Sequence, residues 1–159
     1  MKRNVKYSPF VIIMTILTIM LCIGGFLWFY FKIGMTGYAL LLLVIIIIYN
    51  IFSLYYSPLS IEVSDKDLKI HRMLFNKIIP LSEIYSVELY SPTMAEKRIC
   101  GSGGYFGYWG WFSERNIGKY FAYYGKSSDC FLVKLKSGRK YMLGCKDSLE
   151  MVDEILNKL

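Results

Sequence analysis

Glycine and aromatic residues alternate in residues 98–112, which read RICGSGGYFGYWGWF and form the clearest candidate for a binding site in the chain. Glycine-rich loops that bind phosphate follow G-x-G-x-x-G or G-x-x-x-x-G-K-S/T, and neither pattern occurs here. Aromatic rings stack on the bases of single-stranded nucleic acids, but such proteins combine the rings with a basic groove. Arg98, Arg115 and Lys119 flank the stretch, too few charges for such a groove. The sequence therefore argues against nucleotide or nucleic-acid binding.

Three other roles for this stretch stay open. Trp and Tyr rings favour the headgroup zone of a membrane, so the stretch could contact lipid. Because Thr93–Asn116 fits no regular period, it could instead be a long crossover loop that covers the core and turns at its glycines. It could also bind a protein, since aromatic residues are enriched at interfaces. The candidate contact residues are Arg98, Tyr105, Phe106, Tyr108, Trp109, Trp111, Phe112, Arg115 and Lys119.

Residues for catalysis or metal binding are sparse. His71 is the only histidine, and the four cysteines include no C-x-x-C pair. Zinc sites need three or four Cys, His or carboxylate ligands, usually at short spacings. We therefore expect no metal, no cofactor and no enzyme activity. A cysteine nucleophile at Cys100, beside Arg98, is the minor alternative, and it would require a lowered thiol pKa.

Two apolar runs organise the rest of the chain. Phe10–Phe31 and Tyr38–Tyr56 contain no charged residue, and about 20 apolar residues cross a bilayer as a helix. Only the segment KIGMTG separates them, so residues 1–56 are predicted to form a two-helix transmembrane hairpin. The first run is too long for a cleaved signal peptide, and no A-x-A-like site follows it.

The distribution of charge predicts the orientation of this hairpin. Lys2, Arg3 and Lys6 precede the first helix, and basic residues next to membrane helices favour the cytoplasmic side. Both chain termini are therefore expected in the cytoplasm, with the protein spanning the cytoplasmic (inner) membrane. All 12 acidic residues follow Ser57, and the net charge of the remainder is only +3 with mixed signs. A nucleic-acid partner would require a basic stripe instead.

Small and polar residues mark one face of each predicted helix. Such residues allow close approach and hydrogen bonding between membrane helices. We expect these residues to form the internal contact of the hairpin, or a contact between copies: Thr15, Thr18, Gly25, Asn50 and Ser53.

Residues 57–159 are predicted to form one small α+β domain. Ser57-Pro58 ends the second helix, and a period of two begins at Leu59, which indicates a half-buried strand. About seven antiparallel strands are expected, in a small barrel or two packed sheets. After them, Asp147 and Glu150 form a capping-box pattern that begins an amphipathic C-terminal helix.

This order of seven strands and one helix, together with the segment Arg98–Tyr108 and the hairpin before the helix, resembles the bacterial pleckstrin-homology-like (PH-like) domains found behind one or two membrane helices. The resemblance implies a PH-like fold and carries no catalytic residues. Phosphoinositide-binding relatives place Lys and Arg around the first strand turn, where this chain has Ser64–Asp67 with two carboxylates. The resemblance thus does not imply inositide binding.

These observations together predict a membrane-anchored PH-like interaction or scaffold module at the cytoplasmic face. Its partners would be the lipid bilayer and either an unknown protein or a second copy of the chain. The alternative function is lipid sensing or headgroup binding through the glycine–aromatic stretch.

Overall fold

The computed structural model describes residues 1–34, 36–93 and 95–159, and it confirms the two long apolar helices. Helix α1 spans Pro9–Ile33 and helix α2 spans Gly37–Tyr56; both are long and apolar enough to cross a membrane. Ser8 and Thr36 cap their N-termini by accepting hydrogen bonds from backbone N–H groups three residues later. Most of both helix surfaces is uncovered by the rest of the chain, as expected for helices that face lipid.

The first sheet has four antiparallel strands in the order β1-β2-β3-β4. They span Lys2–Asn4, Pro58–Val63, Asp67–Arg72 and Lys77–Pro80. Strand β1 was not predicted from the sequence. It precedes α1 but pairs with β2, with Lys2 opposite Glu62, so the N-terminal residues complete the sheet of the C-terminal domain.

The second sheet has six strands in the order β5-β9-β10-β8-β7-β6. In chain order, β5–β10 span Ile84–Leu89, Lys97–Gly104, Gly107–Glu114, Gly118–Tyr124, Cys130–Leu135 and Lys140–Gly144. The described residues thus form ten strands rather than about seven, in two sheets and without a closed barrel. One pair, β10 with β8, is parallel.

The expected crossover loop at Thr93–Asn116 is wrong, because most of this segment forms the β6–β7 hairpin. The glycines hide the pattern: Gly101 lies opposite Gly110, and the two backbones approach too closely for side chains. A Cβ atom on Gly110 would lie 2.3 Å from the carbonyl oxygen of Cys100. Glycine contributes no side chain to an alternating pattern, so the period of two disappears although the strand persists.

The core lies between the two sheets and is closed by helix α3, which spans Ser148–Leu156. Ile61 and Ile70 from the first sheet, Val133 from the second and Ile155 from α3 are almost fully buried there. The predicted capping box is wrong in its contacts. Asp147 makes no side-chain cap; instead Arg3 of β1 forms ion pairs with Asp147 and Glu150.

Candidate interaction surface

The tip of the β6–β7 hairpin is a tight turn formed by Tyr105 and Phe106. Gly104 pairs with Gly107, and Phe106 adopts a left-handed φ of 54°, which is uncommon for a bulky residue. Ser102 fixes the turn: its hydroxyl accepts from the Tyr105 N–H at 2.9 Å and donates to the Tyr105 carbonyl at 2.8 Å. The tip therefore has one defined conformation.

This tip contacts both long helices through hydrogen bonds. The Tyr105 hydroxyl donates to the Asn50 side-chain oxygen of α2 at 2.5 Å, and the Phe106 N–H donates to the Thr15 hydroxyl of α1 at 3.0 Å. Burial raises the pKa of Tyr105 to about 12, so its hydroxyl stays protonated and remains a donor at neutral pH. The Tyr105 ring also stacks on Tyr49 of α2, with ring centroids 5.3 Å apart.

Trp109 makes a second contact between the hairpin and α2. Its ring is 4% exposed, stacks on Tyr56 at 5.4 Å and meets Phe52 edge-on at 5.8 Å. The Trp109 indole N–H donates to the carbonyl of Tyr105 at 3.0 Å, which ties the ring to the tip. The last turn of α2 is thus packed directly against the second sheet.

The remaining predicted aromatic residues lie on different faces of the sheet. Tyr108 and Phe112 point away from the helices, and Tyr108 stacks on Tyr124 with centroids 4.6 Å apart. Trp111 lies on the same face as Trp109 but is 45% exposed and touches Phe121. The six aromatic residues are therefore not one continuous surface, because successive strand residues alternate between faces.

The basic residues predicted beside them are also separated. Arg115 directly follows β7, and Lys119 of β8 pairs with Ser113 near the same end of β7. This end is the one farthest from the tip. Arg98 starts opposite Phe112, and its side chain runs back along β6 toward Gly103. All three cations are exposed. The structure therefore brings only Arg98 toward the tip and does not combine all three cations with Tyr105 and Phe106 in a single headgroup site.

The residues expected in helix–helix contact are used differently. Thr15 and Asn50 bond to the hairpin tip, whereas Thr18 and Ser53 donate to carbonyl oxygens four residues earlier in their own helices. A Cβ atom on Gly25 would have no heavy atom of the described structure within 4 Å beyond its own helix backbone. The described chain therefore shows no neighbour packed against Gly25, and the packing role of Gly25 stays a prediction. Ser53 is fully buried.

A hydrogen-bonded cluster of Glu96, Tyr120 and Tyr124 on the outer face of the second sheet was not found from the sequence. The Glu96 carboxylate accepts hydrogen bonds from Tyr120 and from Tyr124, the latter at 2.8 Å to one oxygen. Burial raises the pKa of Glu96, and the two tyrosine hydrogen bonds oppose that rise. The alternation of Tyr120 and Tyr124 in β8 was visible, but their acidic partner lies in a segment interpreted as a loop.

Across the described ranges, no three His, Cys, Asp or Glu side chains are grouped as metal ligands. Cys100 is exposed on β6, and burial raises the pKa of the Cys130 thiol, the opposite of what a nucleophile requires.

Two sheets closed at one side by a C-terminal helix define the PH-like class of fold. The family model described as "Bacterial PH domain" matches residues 59–159. The chain belongs to this bacterial PH-domain family, joined to two apolar helices that indicate membrane association. No curated protein and no solved structure matches the chain significantly.

Proposed function

We propose that the chain is a membrane-anchored, non-catalytic interaction module that offers the free edge of β6 to a protein partner at the cytoplasmic face of the membrane. The sheet order carries the proposal: among the described residues, β6 is the last strand of its sheet and pairs with β7 alone. Lys97–Cys100 are all exposed on this strand. An unpaired edge presents backbone N–H and C=O groups to which a further strand adds.

The rigid attachment of the β6 edge to the two helices supports a scaffold role. The chain connects the helices to the domain at two places, Ser8–Pro9 and Tyr56–Pro58. The hairpin tip adds a third, non-covalent contact through its hydrogen bonds to Thr15 and Asn50. Tyr7 strengthens the first two, since its hydroxyl donates to the Pro58 carbonyl at 2.5 Å. The edge of β6 is therefore held at a fixed position beside the anchor and does not swing on a linker.

The basic residues before α1 support the cytoplasmic placement of both termini in a multi-pass inner-membrane protein. A reporter fused after Leu159 tests it: activity of a cytoplasmic reporter is expected. Activity only of an extracytoplasmic reporter would contradict the proposed face.

Site-specific photo-crosslinking in native membranes tests the interaction. A photoreactive residue at Ile99, 52% exposed on the β6 edge strand, is compared with one at Tyr85, 74% exposed on β5 at the opposite edge. We expect discrete protein adducts from Ile99 only, either a second copy of the chain or another protein. Lipid adducts alone at Ile99, or equal protein adducts at both sites, would contradict the proposal.

Lipid contact is the second candidate function, and one observation favours it. Phe106 borders an apolar pocket beside α1, together with Val11, Ile12 and Ile16. Such a pocket suits an acyl chain rather than a headgroup. Lipid adducts from a photoreactive residue at Phe106, with none from protein at Ile99, would favour this function over the first.

A further inference from the structure

The turn between β3 and β4 exposes three consecutive apolar side chains. Met73, Leu74 and Phe75 are 51%, 50% and 64% exposed and are consecutive, whereas exposed apolar residues on the strands, such as Ile78 and Ile99, stand singly in the sequence. Contiguous exposed apolar residues on a soluble surface are unfavourable and mark a contact with a membrane or a partner. We call residues Met73–Asn76 the β3–β4 turn.

Topology places the β3–β4 turn where the anchor enters the domain. Strand β2 begins at Pro58, directly after α2, and Pro58 pairs with Arg72 at the end of β3. The turn that follows Arg72 therefore lies at the same end of the sheet as the last turn of α2. The Phe75 ring confirms this position, since its centroid is 5.7 Å from that of Tyr55.

Arg72 holds the turn against the helix. Its Nε donates to the Phe75 carbonyl at 2.8 Å, and its guanidinium lies 4.8 Å from the centroid of the Tyr55 ring. The guanidinium thus fixes the backbone of the turn and an aromatic residue of α2 at once. Arginine and tyrosine beside the end of a membrane-spanning helix are typical of the boundary between headgroups and acyl chains.

The two ends of the β2–β3 hairpin differ in polarity. The end beside α2 carries the apolar turn between Arg72 and Lys77. The other end, Ser64–Asp67, carries two carboxylates, and the Asp65 side chain is 95% exposed. Anionic lipids attract Arg72 and Lys77 at the first end, whereas at the second end Lys66 and the Lys158–Asp65 ion pair offset the carboxylates and leave no net positive charge. This polarity matches a sheet that stands with its apolar end on the bilayer.

We propose that the β3–β4 turn inserts Met73, Leu74 and Phe75 into the cytoplasmic leaflet, with Arg72 and Lys77 at the level of the phosphates. The surface is continuous with α2, so the occupant is the bilayer that holds the helices. The contact is additional to the glycine–aromatic tip, which binds α1 and α2 instead of presenting its rings to lipid headgroups. This inference rests on the proposed membrane anchoring.

Spin-label accessibility on the full chain tests the insertion. In a parent carrying Cys22→Ser and Cys100→Ser, a nitroxide is attached to Leu74→Cys, and the protein is placed in vesicles of phosphatidylcholine and phosphatidylglycerol. Lys66→Cys, in the turn at the opposite end of the same hairpin, is the aqueous control, and Ile45→Cys in α2 is the lipid control. Collision rates are measured with oxygen, which partitions into lipid, and with a water-soluble nickel chelate.

The expected ratio of oxygen to nickel collisions at residue 74 shifts from the value at residue 66 toward that at residue 45. A water-like ratio at residue 74 with a lipid-like ratio at residue 45 would overturn the insertion and leave the anchor intact. Shielding of residue 74 from both reagents would show a protein cover and also overturn it. A water-like ratio at residue 45 would instead refute the anchoring itself, and the insertion with it.

Discussion

Replacing Thr15 by valine should release the hairpin tip from α1. The Thr15 hydroxyl donates to the Val11 carbonyl at 2.7 Å and accepts from the Phe106 N–H at 3.0 Å. Valine has nearly the same shape but accepts no hydrogen bond, so Thr15→Val leaves the Phe106 N–H without this partner. Phe106 is the residue held at positive φ, where an L side chain is disfavoured, so its local conformation depends on such contacts.

The size of the effect follows from the unpaired donor. Leaving a buried donor unsatisfied costs about 1–3 kcal/mol, and this range is an upper bound for the Phe106 N–H, which is part-buried. Because about 1.4 kcal/mol corresponds to a tenfold change in an equilibrium, local opening of the tip should become about fivefold to about a hundredfold more frequent. Amide hydrogen exchange reports such local opening directly. The assay is therefore exchange at Gly104–Gly107 in the full chain in lipid nanodiscs.

Thr18→Val is the matched control. Thr18 lies in the same helix, and its hydroxyl donates only to the Met14 carbonyl, at 2.8 Å. Both variants lose one bond within α1, so the difference between them isolates the contact with the hairpin. Equal exchange at the tip in the two variants, or no change in Thr15→Val, would refute the reasoning that the domain is fixed to the anchor here.

Three further predictions concern stability. Gly110→Ala should destabilise the chain by more than about 2 kcal/mol, because Gly110 has a positive φ and an added Cβ would clash with the facing strand. Gly25→Ala, the control, should be neutral or slightly stabilising. Thermal unfolding compares the two variants. Burial raises the folded-state pKa of Glu96, so its protonated carboxyl stabilises the folded state below about pH 4.5. That contribution is lost as the pH rises through the folded-state pKa. Glu96→Gln should therefore flatten the pH dependence of the unfolding temperature. Arg3→Ala should cost about 1 kcal/mol or less, since its ion pairs are partly exposed, and should speed exchange in β1 more than Lys2→Ala does. Equal exchange in the two variants would contradict the conclusion that the ion pairs of Arg3 hold β1 against α3.

The sequence was sufficient for elements whose signal is local. The two long helices follow from length and absence of charge, and α3 follows from apolar residues at helical spacing. Strands such as β2 and β9 follow from the alternation of apolar with polar residues, although Cys130–Val133 of β9 are buried on both faces. The family resemblance, too, was visible in the order of these elements and is confirmed by the family match.

Tertiary structure decided what the candidate site touches. Tyr105 and Phe106 were candidates from the sequence, but their partners Asn50 and Thr15 lie 55 and 91 positions away in the chain, and no local pattern encodes such partners. The same holds for β1, which reaches β2 only because the two helices return the chain to its starting side. Strands β6 and β7 were missed for a related reason. Gly101 and Gly110 have no side chains to give an alternating pattern, and their pairing depends on the close approach of the two backbones, which is present only in the folded structure.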